Sequence, residues 1–141
     1  MILDIFDPKA PPQAIGIDLG TTNSIVSYVR QGHPVAITNC DGTELLPSVV
    51  HYGKAGNIVV GAAAKSFAER EPERTIQSAK RFMGKGMGDA ETQWLAAHRL
   101  RVPQGEREHK LVAFDVGEKA VTPVEVSAEI LKSLEELERM L

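Results

Sequence analysis

The chain of 141 residues is short of several things, and each shortage removes a class of explanation. It has one cysteine, Cys40, so no internal disulfide can hold it, and a reducing cytosol is the expected setting. A lone thiol outside any Cys-x-x-Cys context reads as a packing residue rather than a nucleophile. Basic charge is not in excess: 16 Lys and Arg face 19 Asp and Glu, for a formal net charge of −3. That balance argues against nucleic acid or an anionic membrane as the main partner. No apolar run approaches the length that spans a bilayer. Met1–Phe6 is apolar but too short, and lacks the positive flank of a signal peptide. His33, His51, His98 and His109 show no metal-ligand spacing. Two common phosphate motifs are missing, G-x-G-x-x-G opening a helix and G-x-x-x-x-G-K-[ST]. Aromatic residues are few, and Trp94 reads as packing. There is no internal repeat and no low-complexity segment.

What is present has the balance of one soluble globular domain, 43% hydrophobic and 25% charged. The informative stretch is Ile15-Gly16-Ile17-Asp18-Leu19-Gly20-Thr21-Thr22-Asn23-Ser24. Alternation puts Ile15, Ile17 and Leu19 on one face of a strand. Gly16, Asp18 and Gly20 make the other, bare except for one carboxylate. Glycines let a bulky group approach the backbone. A hard cation such as magnesium prefers oxygen ligands and keeps several waters, so one carboxylate can hold it through that shell. Gly20, Thr21 and Thr22 can offer N–H groups and hydroxyls to phosphate oxygens.

The stretch Asp7–Gln13 reads as a loose arm. Ala14–Leu19, Ser24–Arg30 and Val35–Thr38 then read as a three-strand meander, with the phosphate-like corner at its first turn. The residues after the corner, Ile25-Val26-Ser27-Tyr28-Val29, are β-formers, so the corner belongs to a hairpin and not to a helix start. Asp41-Gly42 marks a turn, followed by strands over Ser48–Tyr52 and Asn57–Val60. Ala62–Glu71 suggests a helix, and Pro72 opens a second one running to Met83, with Ile76, Ala79, Phe82 and Met83 as its buried stripe. Asp89–Leu100 suggests a third, and the glycines at 84, 86 and 88 read as a helix stop and loop. His109–Val116 and Glu118–Val121 read as strands around Gly117. The clearest helix starts at Thr122, an N-cap with Pro123 at N1 and Glu125 completing a capping box. Val126, Ile130, Leu134, Leu137 and Leu141 trace its apolar face, and Glu135 and Arg139 pair one turn apart. The sequence stops on that apolar stripe, which suggests a chain cut within a larger protein.

The run Ile15–Ser24 resembles the first phosphate-binding loop of DnaK-type heat-shock chaperone ATPases. Asp41-Gly42 with Leu46-Pro47-Ser48-Val49-Val50-His51-Tyr52 resembles the next landmark of that family. So do Val60-Gly61-Ala62-Ala63-Ala64, Ser78-Ala79-Lys80-Arg81-Phe82-Met83-Gly84 and Pro123–Leu131. The Pro-Ser-Val-Val-His-Tyr wording, Met83 before Gly84 and the N-terminal arm lean towards the HscA branch, specialised for iron–sulfur cluster assembly. The resemblance is weak across Gly86–Phe114, and no role is carried over there.

The resemblance implies the N-terminal part of an actin-like (ribonuclease H-like) α/β ATPase lobe. Its divisions would be an arm at 1–13, the meander at 14–40, a mixed α+β peripheral subdomain at 41–121 and a closing helix at 122–141. It implies ATP or ADP and Mg2+ as cofactors. Asp18 would hold the metal through water, and Gly20, Thr21, Thr22 and Asn23 would cradle the phosphates. Lys80 would reach the γ-phosphate and the attacking water as the catalytic cation. From residue spacing alone Lys80 is only a lysine beside a helical stripe, four positions after Ile76. The implied setting is cytoplasmic, with a J-type co-chaperone and an iron–sulfur scaffold protein as client. Rival readings are a general protein-folding chaperone, a sugar or acetate kinase of the same fold, and a non-catalytic interaction fragment. With half the cleft lying elsewhere, the 141 residues alone are expected to hydrolyse ATP negligibly. The meander is expected to leave an unpaired edge, open to self-association.

Overall fold

Ile15–Leu19 (β1) and Asn23–Arg30 (β2) are joined by the Gly-Thr-Thr corner and pair antiparallel, Ile15 opposite Tyr28 and Leu19 opposite Ser24. The computed structural model describes residues 14–85, 100–101 and 112–140. After the Gln31-Gly32 turn, His33–Ala36 (β3) pairs with the second half of β2. Leu46–Pro47 (β4) pairs with the start of β2, at Ser24 and Asn23. The expected meander is therefore present, with one short strand added beside the corner. Between them, Asp41 makes the expected turn. The Thr43 hydroxyl and amide donate to its Oδ1 at 2.6 and 2.9 Å, and together they hold the Asp41 carboxyl below its ordinary range.

A second sheet is centred on Val49–Tyr52 (β5), with Ile58–Val60 (β6) on one side and Thr75–Gln77 (β7) on the other. A third runs Ala120–Val121 (β10), Ala113–Asp115 (β9), Leu100–Arg101 (β8). Among the described residues the α-helices are Ala62–Lys65 (α1) and Pro123–Arg139 (α2).

Several expectations are corrected. The helix expected over Ala62–Glu71 is a single turn, α1, followed by irregular turns. The helix expected from Pro72 to Met83 is not one helix. Pro72–Arg74 is a 3₁₀ turn, Thr75–Gln77 is strand β7, and Ala79–Phe82 is a second 3₁₀ turn. Thr75 and Ile76 are β-branched, and β5 offers them a free edge, with Val50 opposite Ile76. Sheet pairing outweighs the helical spacing there. Ser78, at φ 55, then breaks any continuing helix. Of the expected stripe, Ile76, Ala79 and Phe82 are buried, but Met83 is not. Leu100, expected at the end of a third helix over Asp89–Leu100, lies in strand β8. The rest of that helix, the glycines at 86 and 88, Trp94, His98 and His109 lie outside the described residues. Cys40, read as packing, is exposed.

The core runs through all three sheets and the long helix. Val26, Leu46, Val50, Ile76, Phe82, Phe114 and Val126 to Leu137 of the helix face form one buried cluster. Phe82 and Phe114 meet edge to face at 5.6 Å. His51, buried on β5, ties that strand to the 67–75 segment: its ring stacks on Phe67 at 4.1 Å, Nδ1 lies 3.0 Å from Thr75 Oγ1 and Nε2 3.3 Å from Glu71. Arg139 donates to Glu135 at 2.6 Å as its spacing predicts.

Helix α2 packs on the 3₁₀ turn Ala79–Phe82 and on β2 and β5. Its start is fully capped: Glu125 N–H donates to Thr122 Oγ1 at 3.2 Å, and Thr122 N–H donates to Glu125 Oε2 at 2.7 Å. Thr122→Ala removes half of this box. It is expected to lower stability by about 1 kcal/mol. In urea unfolding the midpoint should fall with the slope unchanged.

Candidate functional site

The corner Gly20–Thr22 is held from behind by Ser48. The Ser48 N–H donates to the Thr22 carbonyl at 2.8 Å, and the Ser48 hydroxyl donates to the Gly20 carbonyl at 2.9 Å. The Ser24 hydroxyl sits 2.9 Å from that of Ser48, and both serines are buried. Since the Ser48 proton goes to Gly20, the Ser24 hydroxyl is the donor between them. Two corner carbonyls are thus engaged by the protein. Their dipoles are fixed and do not turn to repel an anion at the corner. Gly20 has to be glycine: a Cβ there would overlap the Asn23 carbonyl oxygen.

The groups facing solvent are of the opposite kind. Asp18 is exposed, and its carboxylate has no hydrogen-bond or ion-pair partner among the described residues. The side chains of Thr21, Thr22 and Asn23 also have no hydrogen-bond partner among the described residues; Thr21 is half-buried, the other two exposed. Among the described residues no three His, Cys, Asp or Glu side chains gather to hold a metal. A cation at Asp18 would therefore keep most of its waters, as magnesium does. The donor set fits a hydrated hard cation and phosphate oxygens.

Lys80 arrives from elsewhere in the chain. Its Nζ donates to the Leu19 carbonyl at 2.6 Å, across 61 positions of sequence. The turn that carries it is anchored by buried Ala79 and Phe82, while Lys80 itself is exposed. An ammonium therefore stands next to the residue between Asp18 and Gly20. Helical spacing from Ile76 is not what puts it there, since Ile76 lies in β7. The six residues singled out in the sequence thus belong to one locality: five at the β1–β2 corner and Lys80 bonded to it.

Ser48 and Ser24 carry no such signal in the sequence. Ser48 stands in the Leu46-Pro47-Ser48 stretch, but no local pattern pairs it with a carbonyl 28 positions away.

The family described as Hsp70 protein matches residues 14–140. A chaperone protein HscA homolog of Methylococcus capsulatus is 45% identical over 139 residues, which is 95% of this chain and 22% of the relative. That of Methylobacillus flagellatus is 44% identical over 140 residues, 94% of this chain and 22% of the relative. That of Acidithiobacillus ferrooxidans is 48% identical over 133 residues, 92% of this chain and 20% of the relative. The chain spans about a fifth of the length of the curated relatives it matches.

Ser48→Ala orphans the buried Ser24 hydroxyl and removes the side-chain donor to the Gly20 carbonyl. Stability should drop by about 1–3 kcal/mol. Amide resonances of Gly20 to Asn23 should shift, while those of α2 stay in place.

Proposed function

The chain belongs to the Hsp70 family, and from that premise we propose that it forms the first wall of the nucleotide site of an HscA-type, ATP-dependent chaperone. The fold it contributes to is the actin-like lobe, with 41–121 as its peripheral subdomain and 122–141 as its closing helix. The observation that carries the reading is the bond from Lys80 to the Leu19 carbonyl, which holds an ammonium against the corner that carries Asp18 and Gly20 to Asn23.

Phosphoryl transfer to water needs positioning and stabilisation of charge spread over the phosphoryl oxygens. Each group has a part in that. Asp18 would hold a hydrated magnesium ion by accepting hydrogen bonds from its waters. The hydroxyls of Thr21 and Thr22, the Asn23 amide and the corner N–H groups donate to phosphate oxygens. Ser48 keeps the neighbouring carbonyls turned away. Lys80 uses one ammonium proton on Leu19, and its remaining donors face the terminal phosphate and the attacking water. A magnesium ion held at Asp18 would supply positive charge that neutralises the phosphate oxygens.

In a protein of the relatives' full length, hydrolysis would drive binding and release of an iron–sulfur scaffold client, assisted by a J-type co-chaperone, in the cytoplasm. Among the described residues no helix is long and apolar enough to cross a membrane. The sugar or acetate kinase alternative has no comparable support, since the Hsp70 match runs through 14–140.

One observation favours a second property of the chain by itself. Strand β1 has a single neighbour among the described residues, and Ile15 and Ile17 are 38% and 41% exposed. An open edge of this kind pairs with other chains. The isolated 141-residue chain should therefore sediment as a concentration-dependent oligomer, and a strictly monomeric boundary would count against this property.

Lys80→Met in a protein of the relatives' full length should lower ATP turnover by about a hundred- to a thousandfold. Nucleotide affinity, read by calorimetry with magnesium and ATP, should change little. The isolated chain should turn over ATP negligibly. Wild-type turnover by Lys80→Met would sink the assignment of the lysine.

A further inference from the structure

Away from the β1–β2 corner, the turns joining β5 to β6 and β9 to β10 meet the 3₁₀ turn Pro72–Arg74 around a cavity of about 380 Å³. Arg74, Lys119 and Lys54 line it, against one carboxylate, Glu118. In a chain of formal net charge −3 this is a local concentration of positive charge. Val116 and buried Tyr52 supply apolar wall.

The arginine is fixed in place by a backbone carbonyl. Arg74 Nη1 donates to the Tyr52 carbonyl at 3.2 Å. Its guanidinium lies against Gly117, which sits at φ +93 and whose missing Cβ leaves the room. Among the described residues Arg74 has no ion-pair partner. Lys119 Nζ stands 5.2 Å from the centroid of the Tyr52 ring, so a π face and not a carboxylate holds it. Lys54 is the least committed of the three, 3.8 Å from Glu71 and mostly exposed. A pre-positioned guanidinium fork with two flexible ammonium groups is the donor set that takes carboxylate or phosphate oxygens.

We propose that this cavity binds a small organic polyanion. Its carboxylate or phosphate oxygens would lie on Arg74 and Lys119, its carbon body against Val116 and the Tyr52 ring, and its hydroxyl donors towards Glu118. The volume lies at the low end of the range for small-molecule sites, and is more than a bare inorganic ion fills. The site shares no residue with the β1–β2 corner, so it stands whether or not the corner binds nucleotide.

The test is calorimetric titration of the 141-residue chain with citrate, glycerol phosphate and inorganic phosphate at constant ionic strength. Saturable one-to-one binding of citrate or glycerol phosphate is expected, tighter than that of inorganic phosphate. Citrate and glycerol phosphate distinguish the carboxylate source from the phosphate source. Lys119→Met should weaken binding about fivefold, and Arg74→Met about tenfold or more. Since Arg74→Met also loses the bond to Tyr52, the exposed Lys119 carries the test if that variant misfolds. Thr21→Val, at the other site, should leave these affinities unchanged. Absence of saturable binding, equal affinity in Lys119→Met, preference for inorganic phosphate, or loss in Thr21→Val would each overturn the proposal.

Discussion

Ser48 fastens the Gly20–Thr22 corner to the strand that follows β4, and the candidate site depends on that fastening. A three-residue turn between two strands has many shapes available to it. Here its amide and hydroxyl together take two corner carbonyls, and Ser24 completes the set in the buried interior. Buried hydroxyls are costly unless paired, so this arrangement persists only if all its members are in place. Among the described residues, the side chains of Asp18, Thr21, Thr22 and Asn23 are left without partners.

Lys80 shows a different kind of dependence. Its position follows from the burial of Ala79 and Phe82 beneath α2, and from the pairing of β7 with β5. The core therefore does more than hold the chain together. It sets the distance between a lysine turn and a hairpin corner that share no local sequence. The same sheet positions Tyr52, whose carbonyl and ring hold Arg74 and Lys119 at the second, cation-lined cavity. Burial, with the charges of Glu129 and Glu125 nearby, pushes the Tyr52 hydroxyl well above the ordinary tyrosine range, so it stays neutral.

The parts that could be read ahead of the structure are those whose signals are local. The β1–β2 hairpin was legible because alternating β-formers flank a glycine-rich corner. The α2 boundary was legible because Thr122, Pro123 and Glu125 form a cap within four residues. The Asp41 turn was legible because Asp41-Gly42 is a turn signal in itself, and Gly42 sits at φ 82. The 72–83 segment was misread because Ile76, Ala79, Phe82 and Met83 fit a helical period by spacing alone. The competing term was an open edge on β5, which no window of sequence around Ile76 contains.

The sequence by itself determined the chemistry on offer: a lone carboxylate on a glycine-bare strand face, hydroxyls and an amide after it, and a resemblance strong enough to identify the family. These are properties of neighbouring residues, so they survive in one dimension. Only the tertiary structure decided that Lys80 meets Leu19, that Ser48 holds Gly20, and that Arg74 stands at a cavity with no ion-pair partner among the described residues. Each of those rests on contacts across 28 to 61 positions, or on a glycine such as Gly117 that is meaningful only beside the guanidinium it accommodates. Such contacts are fixed by packing and hydrogen bonding of the whole chain, which is why no local reading could supply them.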